Sequence, residues 1–235
     1  MKSRALSPVL VLAAVVAAGL VGTAGAATAP LASRALTTSR TCMLTGVSNA
    51  NTVALETYVD QASPNSSAAN ITTTFVRSSS NANRRTYVRF DLTKCVPAIP
   101  STATVTEAVF RAYMDQLPTA CRTQDVFRVT ASWVETVTWN TQPFGTAINN
   151  PPTAQRTGSM NVGAAPCTNS TNNAYVTGWN VTTDVAAFVA GTATNYGWMI
   201  RDDVEGSSTS RNARYVSSEA NQPPRGPQLI VTYDP

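Results

Sequence analysis

Trp133-Val134-Glu135-Thr136-Val137-Thr138-Trp139-Asn140-Thr141-Gln142-Pro143 is the stretch on which the reading of this chain turns. Two tryptophans bracket alternating Val and Thr, and Asn140 and Pro143 end the run with residues that stop a strand. Alternation of this kind sends one row of side chains into a core and the other into solvent, so a strand is expected at residues 134–139. The preceding residues 125–130, Asp-Val-Phe-Arg-Val-Thr, alternate in the same way and read as its neighbour.

The period of two recurs outward in both directions. Residues 51–60 set Val53, Leu55, Thr57 and Val59 against Thr52, Ala54, Glu56 and Tyr58. Residues 72–77 follow, then 84–92, with Val88, Phe90 and Leu92 on one face and Tyr87, Arg89 and Asp91 on the other. Residues 104–115 set Ala108, Phe110, Ala112 and Met114 opposite Glu107, Val109, Arg111 and Tyr113. Further strands are expected at 175–181, 196–201, 213–217 and 228–233. Residues 144–173, with Pro151-Pro152 and Pro166, read as a long ordered loop tied down by Cys167. A short helix is expected at 184–190, capped by Thr182 or Thr183 and stopped by Gly191. Many short strands with turn signals between them and almost no helix indicate an all-β protein, an antiparallel β-sandwich with one short helix.

The N-terminal residues read as an export signal. Lys2 and Arg4 precede a short run rich in Ala, Val and Leu, and Ala24-Gly25-Ala26 fits a small-x-small cleavage site. The apolar run is short of the ~20 residues that span a bilayer, so no membrane span is expected. The organisation implied is a signal peptide at 1–26, a lead-in at 27–49, and a single domain at 50–235 in a secreted, extracellular protein. Lys2 and Arg4 supply half of the formal net charge of +4, which leaves little to attract an acidic partner. No basic stripe marks a nucleic-acid interface, and a monomer is expected.

Cys42, Cys95, Cys121 and Cys167 are an even set for an oxidising compartment and read as two disulfides. Four cysteines allow three pairings. Cys95 and Cys121 are separated by one hairpin-forming strand, which favours Cys95–Cys121 and leaves Cys42–Cys167. The smaller loop, about 25 residues, would contribute on the order of 3 kcal/mol. There is no histidine in the chain. That removes Ser-His-Asp and Cys-His catalysis, histidine general bases and the common zinc sites, while carboxylate-pair chemistry stays open in principle. No motif places two carboxylates at catalytic separation, so no enzyme is expected.

The Trp133–Pro143 pattern resembles a signature of the secreted modules called DNRLRE domains, or carbohydrate-binding module family 96. Other stretches resemble the same family in order: Glu56-Thr57-Tyr58-Val59-Asp60, Arg84-Arg85-Thr86-Tyr87-Val88-Arg89-Phe90-Asp91-Leu92, Ile99-Pro100-Ser101-Thr102-Ala103-Thr104-Val105, Trp179-Asn180-Val181-Thr182-Thr183-Asp184-Val185, Gly197-Trp198-Met199-Ile200-Arg201 and Pro227-Gln228-Leu229-Ile230-Val231-Thr232-Tyr233. The N-Y-G turn frequent in such modules is replaced here by Ser66-Ser67-Ala68-Ala69-Asn70. The resemblance implies a jelly-roll sandwich that binds polysaccharide or cell-surface glycan, with acidic polymers such as alginate among the ligands. The alternative is a structural or adhesive envelope protein without a sugar pocket.

Sugar sites stack aromatic rings on pyranose faces and hydrogen-bond hydroxyls, and guanidinium is a bidentate partner for carboxylate. Tyr87 and Tyr113 fall on expected polar faces, as do Arg89 and Arg111. Arg128 and Arg201 also sit on expected strands. These six are the candidate ligand contacts. The motif tryptophans read as core or corner packing. Asp202, Asp203 and Glu205 form the densest acidic cluster, where a structural Ca²⁺ is conceivable. No other cofactor is implied.

Overall fold

A computed structural model describes residues 38–46, 53–220, 222 and 225–235. The export signal expected at 1–26, and most of the lead-in expected at 27–49, lie outside the described residues. Among the described residues the chain builds an all-β antiparallel sandwich with one α-helix. The strands are β1 (Arg40–Thr45), β2 (Ala54–Asp60), β3 (Thr73–Ser78), β4 (Arg84–Phe90), β5 (Thr104–Arg111), β6 (Tyr113–Gln116), β7 (Arg122–Arg128), β8 (Gly158–Val162), β9 (Ala174–Tyr175), β10 (Trp179–Asn180), β11 (Trp198–Asp202), β12 (Arg211–Val216) and β13 (Gln228–Asp234), and the helix is α1 (Thr182–Val189). One sheet has the order β1-β13-β5-β10; the other runs β8-β7-β11-β4-β3-β12-β6-β9, with β2 paired to β4. No helix among the described residues is long and apolar enough to cross a membrane.

The interior forms where alternation is cleanest. Ala108, Phe110, Ala112 and Met114 are all buried, although the chain bends at Ala112 and passes from the four-stranded sheet into the nine-stranded one. One row of side chains therefore serves both sheets. Phe110 stacks on Trp179 at 5.3 Å and on Trp198 at 6.2 Å between ring centroids, which joins the two layers. Burying apolar surface at roughly 25 cal/mol per Å² makes the two tryptophans large contributors to the core. Gly197 precedes Trp198 at φ +71°, and a Cβ there would fall 2.0 Å from Val88 O, so only glycine lets β11 approach β4 this closely. Glu56 also points inward. Its Oε1 accepts from Ser217 Oγ at 3.1 Å and from the Ser218 N–H, and burial holds its carboxyl up at about 7.

Trp133–Pro143 is not a strand. The Val137 N–H closes a turn on Val134 O at 2.9 Å, and the Thr141 N–H closes another on Thr138 O at 3.1 Å. Thr138 N bonds to Thr141 Oγ1, so hydroxyls satisfy backbone that a strand would pair with a neighbour. Trp133, Val137 and Trp139 drop onto the outward face of the nine-stranded sheet, where Val59, Tyr87, Phe127, Val129 and Met199 form a second apolar cluster. These side chains are buried beneath the turns. The sandwich has a third layer, made of loop.

Several further expectations change. The lead-in contains β1, which pairs along its length with β13 from Arg40↔Tyr233 to Thr45↔Gln228. Its signal is weak because only Cys42 and Leu44 face the core, while Met43 is exposed. The long loop at 144–173 contains β8, paired with β7. The helix cap is Val181 rather than a threonine. Thr182 Oγ1 instead accepts the Ala108 N–H at 2.9 Å, while Asn180 Oδ1 accepts the Thr182 N–H at 3.0 Å. The disulfides join Cys42 to Cys95 and Cys121 to Cys167. Cys95 and Cys121 cannot meet because β5 and β6 carry the chain across the sandwich, from Thr104 beside Asp234 to Gln116 beside Arg214. The loops closed span 53 and 46 residues, and cross-links of that length stabilise by about 4 kcal/mol each in the chain-entropy account.

Candidate functional site

A cleft of about 530 Å³ opens where β7 ends, beside the start of α1 and the loop before β8. Phe127, Phe144 and Pro151 give it an apolar floor. Arg128, Gln155, Arg156, Thr157 and Asp184 stand around that floor. Such a mixture, an apolar base with a few converging polar groups, is the general form of a small-molecule site.

Asp184 organises the polar side. It lies in the first turn of α1, where a carboxylate is favoured by the helix dipole. Its Oδ2 accepts from Trp198 Nε1 at 2.8 Å and from Thr157 Oγ1 at 2.6 Å, while Oδ1 faces Arg128 Nη1 at 3.3 Å. The buried Trp198 thus fixes the acid, and the acid fixes one corner of the guanidinium. The Arg128 side chain is 38% exposed, and its other nitrogens have no partner among the described residues. Arg156 is 46% exposed and extends across the same cleft, 3.9 Å from the buried carboxylate of Asp125. Burial raises the Asp125 carboxyl above its usual range despite the neighbouring Arg156 and Arg201 charges. Two guanidiniums with free donors therefore face a space with one fully engaged carboxylate on its wall.

The six residues nominated from sequence go to different places. Arg128 lines the cleft. Tyr87 and Arg201 do not lie on an exposed face, because the Trp133–Pro143 turns and the loop that follows cover it. Tyr87 is fully buried and donates to Gln142 Oε1 at 3.0 Å, and desolvation pushes its phenol upward. Arg201 is fully buried over Phe127 and donates to the carbonyls of Pro151, Asp202 and Asp203. Arg89 lies over the Trp133 ring at 5.9 Å, beside a separate hollow near Leu92 and Phe188. Arg111 and Tyr113 sit together elsewhere: Arg111 stacks on Tyr175, Tyr175 meets Tyr113 edge-on, and Arg225 covers Tyr113. Arginine already occupies faces that a sugar would need there.

The acidic trio is divided between arginines. Asp202 takes a two-pronged contact from Arg122, with Nε on Oδ2 at 3.0 Å, and Asp203 lies 3.4 Å from the same guanidinium. Glu205 is fully buried in a two-pronged pair with Arg85, at 2.8 Å on each prong. A calcium ion at these carboxylates would have to displace both arginines. No cluster of three acidic, Cys or His groups arranged for a metal occurs among the described residues.

Arg156, Gln155, Phe144 and Asp184 were missed from sequence. Three of the four lie in or at the border of the long proline-containing loop, where periodicity carries no information. Asp184 was visible only as a helix-start residue.

The chain matches carbohydrate-binding module family 96 over residues 48–233. It belongs to that family. The match takes in the nine-stranded sheet, the four-stranded sheet apart from β1, the covering loop and the walls of the cleft. No curated protein matches the chain. For a carbohydrate-binding module, an open polar cleft with an aromatic floor is the feature that merits attention.

Proposed function

We propose that this protein is a secreted, non-catalytic module that binds polysaccharide in the Arg128–Arg156 cleft. The observation that carries this reading is the pair of partly exposed guanidiniums above the Phe127–Phe144 floor, in a member of a carbohydrate-binding family. The partly exposed Phe144 ring, packed on buried Phe127, offers apolar surface to a pyranose face, and the guanidiniums donate to its hydroxyl or carboxylate oxygens. Acidic polymers such as alginate suit that chemistry best. The two disulfides are in keeping with an extracellular setting. A non-catalytic role is supported by the cleft wall, where Asp184 is the one carboxylate and is engaged by Trp198, Thr157 and Arg128. Glycosidases need a second carboxylate opposite the first.

The test is native electrophoresis through gels containing alginate or a neutral β-1,4-glucan. Retardation by either polymer, lost on Arg128→Gln or Arg156→Gln with the fold intact, supports the proposal. A wild type that is retarded by neither, and a glycan array that stays blank with calcium present, would favour a structural envelope protein instead.

A further inference from the structure

Resting on the reading of the cleft as a glycan site, we infer that the cleft is one half of a continuous groove, and that the ligand is a stretch of several sugars of a linear chain rather than a single sugar. A second hollow of about 200 Å³ adjoins the first, and Arg128 and Thr130 line both. The far wall of this hollow is made by Ala193, Thr194 and Tyr196, in the connection between α1 and β11. On its own it falls below the roughly 300–1,000 Å³ of ordinary small-molecule sites, whereas the two together lie well inside that range. The hollow is therefore better read as an extension than as a separate site.

The backbone that lines the second hollow is firmly held. The Val129 N–H donates to Gly197 O at 2.9 Å, which ties the chain just beyond β7 to the approach of β11. Trp133 Nε1 donates to Tyr196 O at 2.7 Å, so the covering loop holds the backbone that presents the Tyr196 ring. Thr130 and Thr194 are exposed, and Tyr196 is half-buried. The two halves differ in chemistry: guanidiniums and Asp184 on one side, a phenol ring and two threonine hydroxyls on the other. A polymer that crosses Arg128 would meet a charged subsite and then a stacking subsite. Such a site binds more tightly as the oligomer lengthens, until both halves are filled.

The experiment is calorimetric titration with size-fractionated uronic-acid oligomers from disaccharide to octasaccharide, alongside neutral β-1,4-linked glucose oligomers. In the wild type the affinity should rise by about tenfold or more between disaccharide and hexasaccharide on the binding ladder. Thr194→Trp, and independently Ala193→Trp, fill the second hollow from positions that do not line the first. Each should remove most of that rise and leave the disaccharide affinity unchanged, while Arg156→Gln weakens every length alike. Equal affinity at all lengths would overturn the inference while leaving the glycan site standing. So would a Thr194→Trp protein, unchanged in melting temperature, that loses disaccharide and hexasaccharide binding equally. A wild type that binds no oligomer and no polymer would remove the underlying reading, and this inference with it.

Discussion

Along its central strands β4, β7 and β11 the nine-stranded sheet has two largely buried faces, and they are built from different material. The inner face is apolar and aromatic, with Phe110, Trp179 and Trp198 stacked between the sheets. The outer face interleaves Val59, Phe127 and Met199 with Arg85, Tyr87 and Arg201, and all six are at or near zero exposure. The difference comes from what covers each. A facing sheet has its backbone polar groups paired in ladders and needs only apolar contact. A loop has carbonyls without ladder partners, and buried carbonyls need donors. Arg85 donates to Gly145 O and Ala147 O, and Arg201 to Pro151 O, so the arginines satisfy the loop that buries them. Phe144 and Pro151, on that same loop, are walls of the cleft. The outer face thus supports the cleft from below, through Phe127 and through the loop that its arginines hold.

Arg85→Met tests this comparison hardest. It leaves Glu205 buried without its cation and should destabilise by about 3–5 kcal/mol, whereas Arg85→Met with Glu205→Leu should recover much of that loss. Denaturant unfolding of both variants provides the check, and a single variant within about 1 kcal/mol of wild type would mean the outer layer is not load-sharing. Next in size is the disulfide of the inner core: Cys42→Ala with Cys95→Ala should lower stability by about 4 kcal/mol. Non-reducing peptide mapping of the wild type should recover the Cys42–Cys95 and Cys121–Cys167 peptides.

Glu56, on the inner face, supplies a pH signature. Its carboxyl stands at about 7 in the fold against 4.5 when exposed, so between those values the folded state holds more protons than the unfolded state. Stability therefore falls as pH rises through that window, by on the order of 3 kcal/mol in total, with nothing further lost above it. Asp125, Asp202 and Glu135 are also raised and act with the same sign, and no histidine competes. Urea unfolding at about pH 5 and about pH 8 should show the drop, and Glu56→Gln should reduce it. A Glu56→Gln protein with the full wild-type drop would show that Glu56 is not its source. The smallest effect belongs to the covering turns. Val134 is 60% exposed, and Val134→Lys should change stability by less than about 0.5 kcal/mol, while Val137→Ala, on the buried side of the same turns, should be clearly destabilising.

What was legible in the sequence follows the same division. Phe110, Met114, Val88 and Phe90 announce an inner face because one side of each strand is apolar and the other polar. Arg85, Tyr87 and Arg201 occupy alternating positions too, and from sequence a polar residue opposite an apolar row reads as solvent-facing. Only the covering loop makes them interior, and loop placement leaves no periodic trace. Trp133–Pro143 misled for a related reason: Val and Thr alternate in it, yet the hydroxyls close turns, and the tryptophans pack on a neighbouring sheet. Family resemblance located the signature correctly as important without revealing its conformation. The cleft was visible through Arg128 alone, since Gln155, Arg156 and Asp184 meet it from a loop and a helix end.

The most direct measurement is affinity electrophoresis on alginate with Arg156→Gln, Gln155→Ala and Arg111→Ala compared against wild type, each with its melting temperature recorded. The cleft account predicts retardation of the wild type, marked loss for Arg156→Gln, partial loss for Gln155→Ala, and wild-type behaviour for Arg111→Ala. Retention by Arg156→Gln together with loss in Arg111→Ala would contradict it, moving the binding face to the stacked Arg111–Tyr175–Tyr113 patch.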